Sequence, residues 1–473
     1  MRQLSALDAQ FLNFETATNI ANVGGLAVLG KDLSREKIQH RLAERMAGVP
    51  QLRRRLVRVP FGLDHPYWAD DTEVDLDYHV RELTLPPPGD DMQLGEQVAR
   101  LHEQRLDRAR PLWEMHLIHG LAGGRCGIYA KVHHAAVDGL TGAEVLAALM
   151  DPVPEAAARR PEAPPGLWHM LARSAWHLAG NPAHLLRFAG EALPVLDQLP
   201  VISRLPGASG IARLMRREPL PELPDMAAPH TPLGGPVSSR RRYAFVELPL
   251  REIKRVKNAF GVTVNDVVMT LAASALRRWL MAHRALPEVP LVAGVPFSVR
   301  GREGMNEGNQ VTMMITQLPT HVDDARRRLE LVSEAMRQIK ERFALTPARL
   351  LRDLSESMPA ALNGLADRAA LELVGRTAPP LNVVVSNIPG PQFPLRIAGV
   401  KLLAHYPVSV VTDVSGGVNI TAFSYNGRLD VGITACRELV PDVWGFSGYL
   451  REALDELKPS PKRAGHARTR DRA

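Results

Sequence analysis

The chain has 473 residues, 45% of them hydrophobic and 23% charged, with a formal net charge of +7. That length exceeds a single hydrophobic core and predicts at least two domains, in a balance ordinary for a soluble globular enzyme. Cys126 and Cys436 are too few for a disulfide framework and fit a reducing compartment. The segment Lys458 to Ala473 holds +5 of the net charge, so the remainder is near +2 and a nucleic-acid partner is not expected.

In chain order, the first eight residues lack a long apolar run, so no secretory leader is expected, and no apolar run reaches the roughly 18 residues of a membrane helix. Leu7 to Leu12 suits a short helix or turn, and Val23 to Leu29 a strand reached through Gly24 and Gly25. Residues 34 to 48 carry helical periodicity behind Ser34, an N-cap candidate. Arg53, Arg54 and Arg55 follow Pro50 and read as a solvated strand face or as guides for an anionic ligand. Residues 66 to 80, including Asp75 to Val80, alternate like a strand, and a helix is expected from about Leu94 to Leu106. Pro111-Leu112-Trp113 leads into a strand with an aromatic anchor.

The densest chemistry lies in residues 126 to 150. Ile128 to Val132 is an apolar, β-branched strand, followed by His133-His134-Ala-Ala-Val-Asp138-Gly139 and a capping-box pattern, Thr141 to Glu144, opening a helix. Histidine can take and return a proton near neutrality, as a general base must. Two His and an Asp are also metal-ligand types, but neighbouring strand residues face opposite ways, so His133 and His134 should not converge on one ion. No GxSxG elbow is present to support a serine hydrolase. The bland alternative is a strand-loop-helix junction with satisfied histidines.

Residues 151 to 239 form a proline-rich linker with two amphipathic stretches, Gly166 to Leu178 and Leu185 to Leu199, which read as packed helices or as a lipid-touching patch. A second domain is expected from 240 to 457, with a strand Tyr243 to Leu248, a helix Leu250 to Phe260, and a longer helix to Ala282 capped by Thr263 with Asn265 and Asp266 in its first turn. A buried strand carries Ser386 and Asn387, and Asn426-Gly427 marks a hairpin. Residues 458 to 473 read as a disordered basic tail, with attraction to an anionic lipid surface as the functional alternative.

His133 to Gly139 resembles HHxxxDG, the signature of the bacterial wax ester synthase/diacylglycerol acyltransferase family. Val23-Gly24-Gly25, Pro111-Leu112-Trp113, Asn265-Asp266, the strand ending in Arg300, Gly308-Asn309 and Ser386-Asn387-Ile-Pro-Gly-Pro resemble further elements of that family, from Ser5 to Pro441. One departure is Asn22, where the family commonly has histidine. The resemblance implies an α/β fold of two chloramphenicol-acetyltransferase-like domains, mixed sheets flanked by helices, with the N-terminal domain at 1–150 and a tunnel between the two.

It further implies transfer of a fatty acyl group from acyl-coenzyme A to diacylglycerol or a long-chain fatty alcohol, without an acyl-enzyme, cofactor or metal. His134 would be the general base. His133, Asp138, Gly139 and Arg300 would support its loop, with Asp138 and Arg300 as a bracing pair. Pro111, Leu112, Trp113, Asn265, Asp266, Asn309, Ser386 and Asn387 would lie near the substrate channel. The implied setting is cytoplasmic, peripheral on the inner membrane face or on lipid inclusions. A condensation-type enzyme using carrier-bound thioesters and a catalytically silent lipid-binding protein are the alternatives.

Overall fold

The computed structural model describes residues 2–136, 227–298, 311–345 and 381–458, except 50–51 and 61–62, with short pieces at 150–151, 166, 168–170 and 214. Its strands are β1 (Arg2–Gln3), β2 (Asn22–Leu29), β3 (Arg54–Val57), β4 (Tyr67–Asp70), β5 (Val80–Thr84), β6 (Trp113–Leu121), β7 (Arg125–His133) and β8 (Met150–Asp151) in the first part of the chain. The second part holds β9 (Arg241–Pro249), β10 (Leu291–Ser298), β11 (Val311–Leu318), β12 (Val383–Pro389), β13 (Arg396–Ile397), β14 (Val400–Val408), β15 (Val418–Tyr425) and β16 (Arg428–Cys436). The helices are α1 (Ala6–Phe14), α2 (Arg35–Arg45), α3 (Leu76–His79), α4 (Asp91–His102), α5 (Leu250–Phe260), α6 (Val264–Ala282), α7 (Ala325–Leu345) and α8 (Gly445–Leu457).

A seven-stranded sheet has the order β5-β6-β7-β2-β14-β13-β8, and a six-stranded sheet the order β11-β10-β12-β15-β16-β9. Both are mixed: β5–β6 and β10–β12–β15 are parallel, while β6–β7–β2–β14 and β15–β16–β9 are antiparallel. A third, three-stranded sheet runs β1-β4-β3. The first large sheet borrows β13 and β14 from the second half of the chain, so the sheets do not follow the division expected at residue 240.

Alternation explains the layers. Even-numbered residues of β7, Ile128, Ala130 and Val132, join Ile38 and Leu42 of α2 in one core, while Tyr129 faces a second core with Leu94, Val98 and Leu101 of α4. Each such aliphatic side chain buried contributes about 1.5–3 kcal/mol. The second core also takes Tyr243 and Phe245 of β9, Tyr406 of β14 and Trp444, and so joins the two lobes. On its other face β9 turns Ala244, Val246 and Leu248 into the core of the second lobe, against α5, α6, α7 and α8.

Local chemistry sets most boundaries. Asp90 and Gln93 form a capping box for α4, and Thr263 and Asp266 form one for α6. Gly261, at φ 68°, ends α5 in the left-handed conformation. Asn426 (φ 43°) and Gly427 (φ 82°) make the tight turn between β15 and β16. The expected strand across 66 to 80 is broken: Asp75 caps the turn of helix α3 by accepting from the Asp77 and Tyr78 amides, and the strand resumes only at Val80. A single aspartate at an N-cap position outweighs the short alternation. Ser34 sits at the N-cap of α2 without a side-chain cap bond. Arg53 and Arg54 approach Asp70 at 3.4 and 4.0 Å, the structural use of that basic run.

Candidate active site

The site is built at the end of β7, which lies in the middle of the seven-stranded sheet between β6 and β2. The odd residues Tyr129, Lys131 and His133 share a face that is polar yet fully buried. Tyr129 donates its hydroxyl to Nδ1 of His102 (2.7 Å), whose Nε2 in turn donates to the Ser409 carbonyl (3.1 Å). Lys131 donates to the carbonyls of Leu101 and Gln104 at 3.0 and 2.9 Å and lies 3.2 Å from Glu114. Asn22 gathers the His102 and Gln104 carbonyls at 3.1 and 2.8 Å. The unpaired carbonyls at the end of α4 are therefore satisfied by the strands beneath them. Burial works to raise Glu114, but His116 and then Lys131 hold its carboxyl down at about 2.

His133 is the last residue of the strand. Its amide donates to the Leu112 carbonyl (3.0 Å), and its Nδ1 accepts from the Ala135 amide (3.1 Å). An acceptor Nδ1 leaves the proton on Nε2, which faces Glu15 Oε2 at 3.7 Å. Glu15, fully buried at the end of α1, also receives Arg108 at 2.8 Å and Arg105 at 3.6 Å. Burial opposes its ionisation, but His133 and then Arg108 hold its carboxyl down at about 2. Burial pushes the His133 imidazole below its usual range against the pull of Glu15.

His134 begins a 3₁₀ turn, His134–Ala136, so the two rings leave the backbone differently. Its amide donates to Ala21 O (2.8 Å), which ties the turn to the lead-in of β2. Its ring lies flat on Phe11 of α1, centroids 3.7 Å apart and 17° between planes. Nδ1 is buried and meets no partner in hydrogen-bond geometry. Burial pushes His134 down to about 4, opposed by its own backbone and reinforced by the neighbouring His133. Such an imidazole is neutral at pH 7 and free to accept a proton.

The remaining sequence-derived residues fall into three groups. Pro111, Leu112 and Trp113 are buried: Leu112 packs with Ala135 beneath the histidine turn, and Trp113 donates to Leu52 O (2.8 Å) and stacks on His79. They form the floor under the turn. On α6, Asp266 accepts from the Thr263 amide (2.9 Å) and from Ser333 Oγ (3.2 Å), a cap; Asn265 beside it is half-buried. Ser386 and Asn387 are half-buried on β12, and the adjoining Ile388 packs on the same core as Ala136 of the histidine turn. Asp138, Gly139, Arg300, Asn309, the Thr141 capping box, most of the linker and the basic tail beyond Lys458 lie outside the described residues.

Sequence reasoning did not find Phe11, Glu15 or Arg108, because each looks like an ordinary helix or loop residue until the chain is folded. Among the described residues, one trio with metal-type donors, Asp32, His119 and Cys126, lies within 4.8 Å, at the start of β7 and so at the other end of the strand from the histidine pair. There His119 is already hydrogen-bonded to Asp32 at 2.6 Å, with Glu82 3.5 Å from its second nitrogen.

Two mixed sheets joined through β14, with the buried His133 and half-buried His134 closing an interior strand of one of them, define a two-lobed α/β fold of the condensation type. The first condensation domain of the CDA synthetase shares this fold, with a TM-score of 0.55 at 19% identity over 97% of this chain and 96% of that one. The wax ester synthase/diacylglycerol acyltransferase catalytic-domain signature matches residues 4–268, and the C-terminal-domain signature of the same family matches 307–458.

A Mycobacterium tuberculosis protein named as a diacylglycerol O-acyltransferase is 35% identical over 465 residues, 97% of this chain and 90% of its own length. A second from that organism is 37% identical over 464 residues, covering 96% and 99%. The wax ester synthase/diacylglycerol acyltransferase of Marinobacter aquaeolei superposes with a TM-score of 0.68 at 29% identity, over 97% of this chain and 98% of that one. The chain belongs to the wax ester synthase/diacylglycerol acyltransferase family and is an acyltransferase.

Proposed function

We propose that the protein moves a fatty acyl group from acyl-coenzyme A to the hydroxyl of diacylglycerol or of a long-chain fatty alcohol, with His134 as general base. The observation that carries this is the neutral, stacked imidazole at the end of β7, in a chain whose relatives are named for that transfer. Nδ1 is the buried atom, so Nε2 is the nitrogen left to meet substrate. It takes the hydroxyl proton as oxygen attacks the thioester carbonyl; the new C–O ester bond forms, the C–S bond breaks, and the proton passes to the departing thiolate. The exchange is redox-neutral and direct, so it calls for neither an electron carrier nor an acyl-enzyme.

His133 and Trp113 hold the turn in place, and Asp138 with Arg300 would brace the segment that follows it. The substrates would meet between the lobes, where Ser386 and Asn387 approach the core shared with the histidine turn. Because both are water-insoluble at one end, the enzyme would work peripherally, at a cytoplasmic lipid surface.

The test is release of coenzyme A thiol from palmitoyl-coenzyme A by purified protein, with hexadecanol or dipalmitoylglycerol added and His134→Ala alongside. Acceptor-dependent release that falls by about 10² to 10⁴ in the variant is expected. No release with either acceptor from folded protein would refute the reading and turn attention to carrier-bound donors.

A further inference from the structure

We propose that Phe11 of α1 and Glu15, the residue that caps the helix one turn further on, are positioning residues that clamp the two adjacent histidines, Phe11 by covering the face of His134 and Glu15 by setting its charge against His133. The pair is spaced four residues apart, which places both side chains on one face of a helix. That face meets the 3₁₀ turn: Leu12 and Ala9 of α1 pack with Leu106, Leu112 and Ala135. The helix is itself fixed at both ends. Ser5 caps it by accepting from the Asp8 amide, and Arg108 donates to both the Leu12 carbonyl and Glu15, each at 2.8 Å.

The consequence for His134 is chemical as well as mechanical. A phenyl ring lying 3.7 Å above the imidazole removes water from one face, and desolvation disfavours the imidazolium. Among the described residues the titratable group facing His134 from its own element is His133. Behind that ring stand Glu15 at the C-cap of α1 and Arg105 and Arg108 of the turn before β6; Ala21, just before β2, offers its carbonyl to the His134 amide. Among the described residues no carboxylate contacts His134 directly, and its aromatic cover sets how easily the ring charges. Glu15 acts one residue away: its carboxylate faces His133 Nε2 at 3.7 Å, a charge approach longer than a hydrogen bond, while the Ala135 amide donates to Nδ1, so the His133 ring is oriented from both sides beside His134.

This inference rests on His134 being the base, so its test carries a readout that does not need turnover. Protein labelled with ring-¹³C histidine is titrated by NMR, the His134 resonance being assigned by its loss in His134→Gln. In the wild type it should titrate well below about 6.5, the ordinary histidine value; in Phe11→Ala it should move up by about one unit or more. Phe11→Leu, which keeps an apolar side chain but cannot lie flat, should move it up by about half a unit and serves if Phe11→Ala does not fold.

The acid limb of kcat/KM should shift upward with it, whereas a merely structural role would lower the whole profile without moving it. Glu15→Ala should cut kcat by about tenfold or more with KM for acyl-coenzyme A within about twofold, and Glu15→Gln, which keeps the size and the polar oxygen facing His133 but not the charge, should recover part of the loss. An unmoved His134 titration in the folded Phe11 variants, or an unchanged kcat in folded Glu15→Ala, overturns the clamp. Full turnover by His134→Gln would instead overturn the base assignment, leaving the titration to decide the cover by itself.

Discussion

His102, His134 and His405 are each held neutral by burial, His102 pushed down to about 3 and the other two to about 4. In the unfolded chain each would titrate near 6.5. Their native pKa values are depressed, so the stability they contribute is present above about 6.5 and is lost as pH falls toward 4: over that window the unfolded chain binds protons that the native fold refuses. The loss is about 1.4 kcal/mol per pH unit for each histidine. Glu15 and Glu114, held at about 2, lose their contribution only below their unfolded range near 4.5. Urea midpoints measured from pH 7 to 4 should therefore fall steeply from about pH 6; a flat profile down to 4.5 would contradict the buried-histidine arrangement. Of these residues, His134 was legible in the sequence because a strand signal ended on a reactive residue type. Glu15 was not, because a lone glutamate closing a helix says nothing about a histidine far along the chain.

At the scale of elements, β14 ties the lobes together. It pairs edge to edge with β2 in the first sheet, with a register shift between Leu402 and Ala404, while side chains of the second sheet hold its backbone. Asp430 accepts from the His405 amide at 2.8 Å, Thr434 from the Ser409 amide at 3.1 Å, and Tyr243 donates to Pro407 O at 3.1 Å. The approach is so close that Gly432 and Gly25 have no room for a Cβ, which would collide with Pro407 O and the His405 ring respectively. Burial raises Asp430 to about 7, against the pull of the His405 amide and Arg428. Raised above its unfolded value near 3.9, its contribution is fully present below pH 4 and is lost as pH rises through 7.

Asp430→Asn keeps an acceptor for the His405 amide without the charge. It should match the wild type near pH 4 and exceed it in unfolding free energy by about 1–3 kcal/mol at pH 8, measured by chemical denaturation at the two pH values. Equal stability at pH 8 would show that the carboxylate is better solvated than this geometry implies. Helices α5 and α6 and the Asn426-Gly427 turn were readable because their signals are local. The destination of β14 was not: alternation marks a strand, but the sequence does not say which sheet receives it.

For the whole molecule, the pairing of β14 with β2 makes the lobes interdependent. Without β14 the first sheet ends at β2, whose edge between Gly24 and Leu29 would be left unpaired, a template for aggregation. A fragment of residues 1–240 should accumulate as insoluble protein, and co-expression with 241–473 should return a soluble complex that releases coenzyme A; a soluble, monomeric 1–240 fragment would contradict this. Two lobes were legible from length and from the proline-rich stretch between them, since each half carries its own strands and helices. That the second half lends β13 and β14 to the first sheet was not, because pairing across the linker leaves no local mark. The same pairing sets a timetable for synthesis. The ribosome must pass Val408 before the sheet bearing the histidines can close, so activity arrives only when translation is nearly finished, and a polypeptide cut short before Val400 gives no partial enzyme.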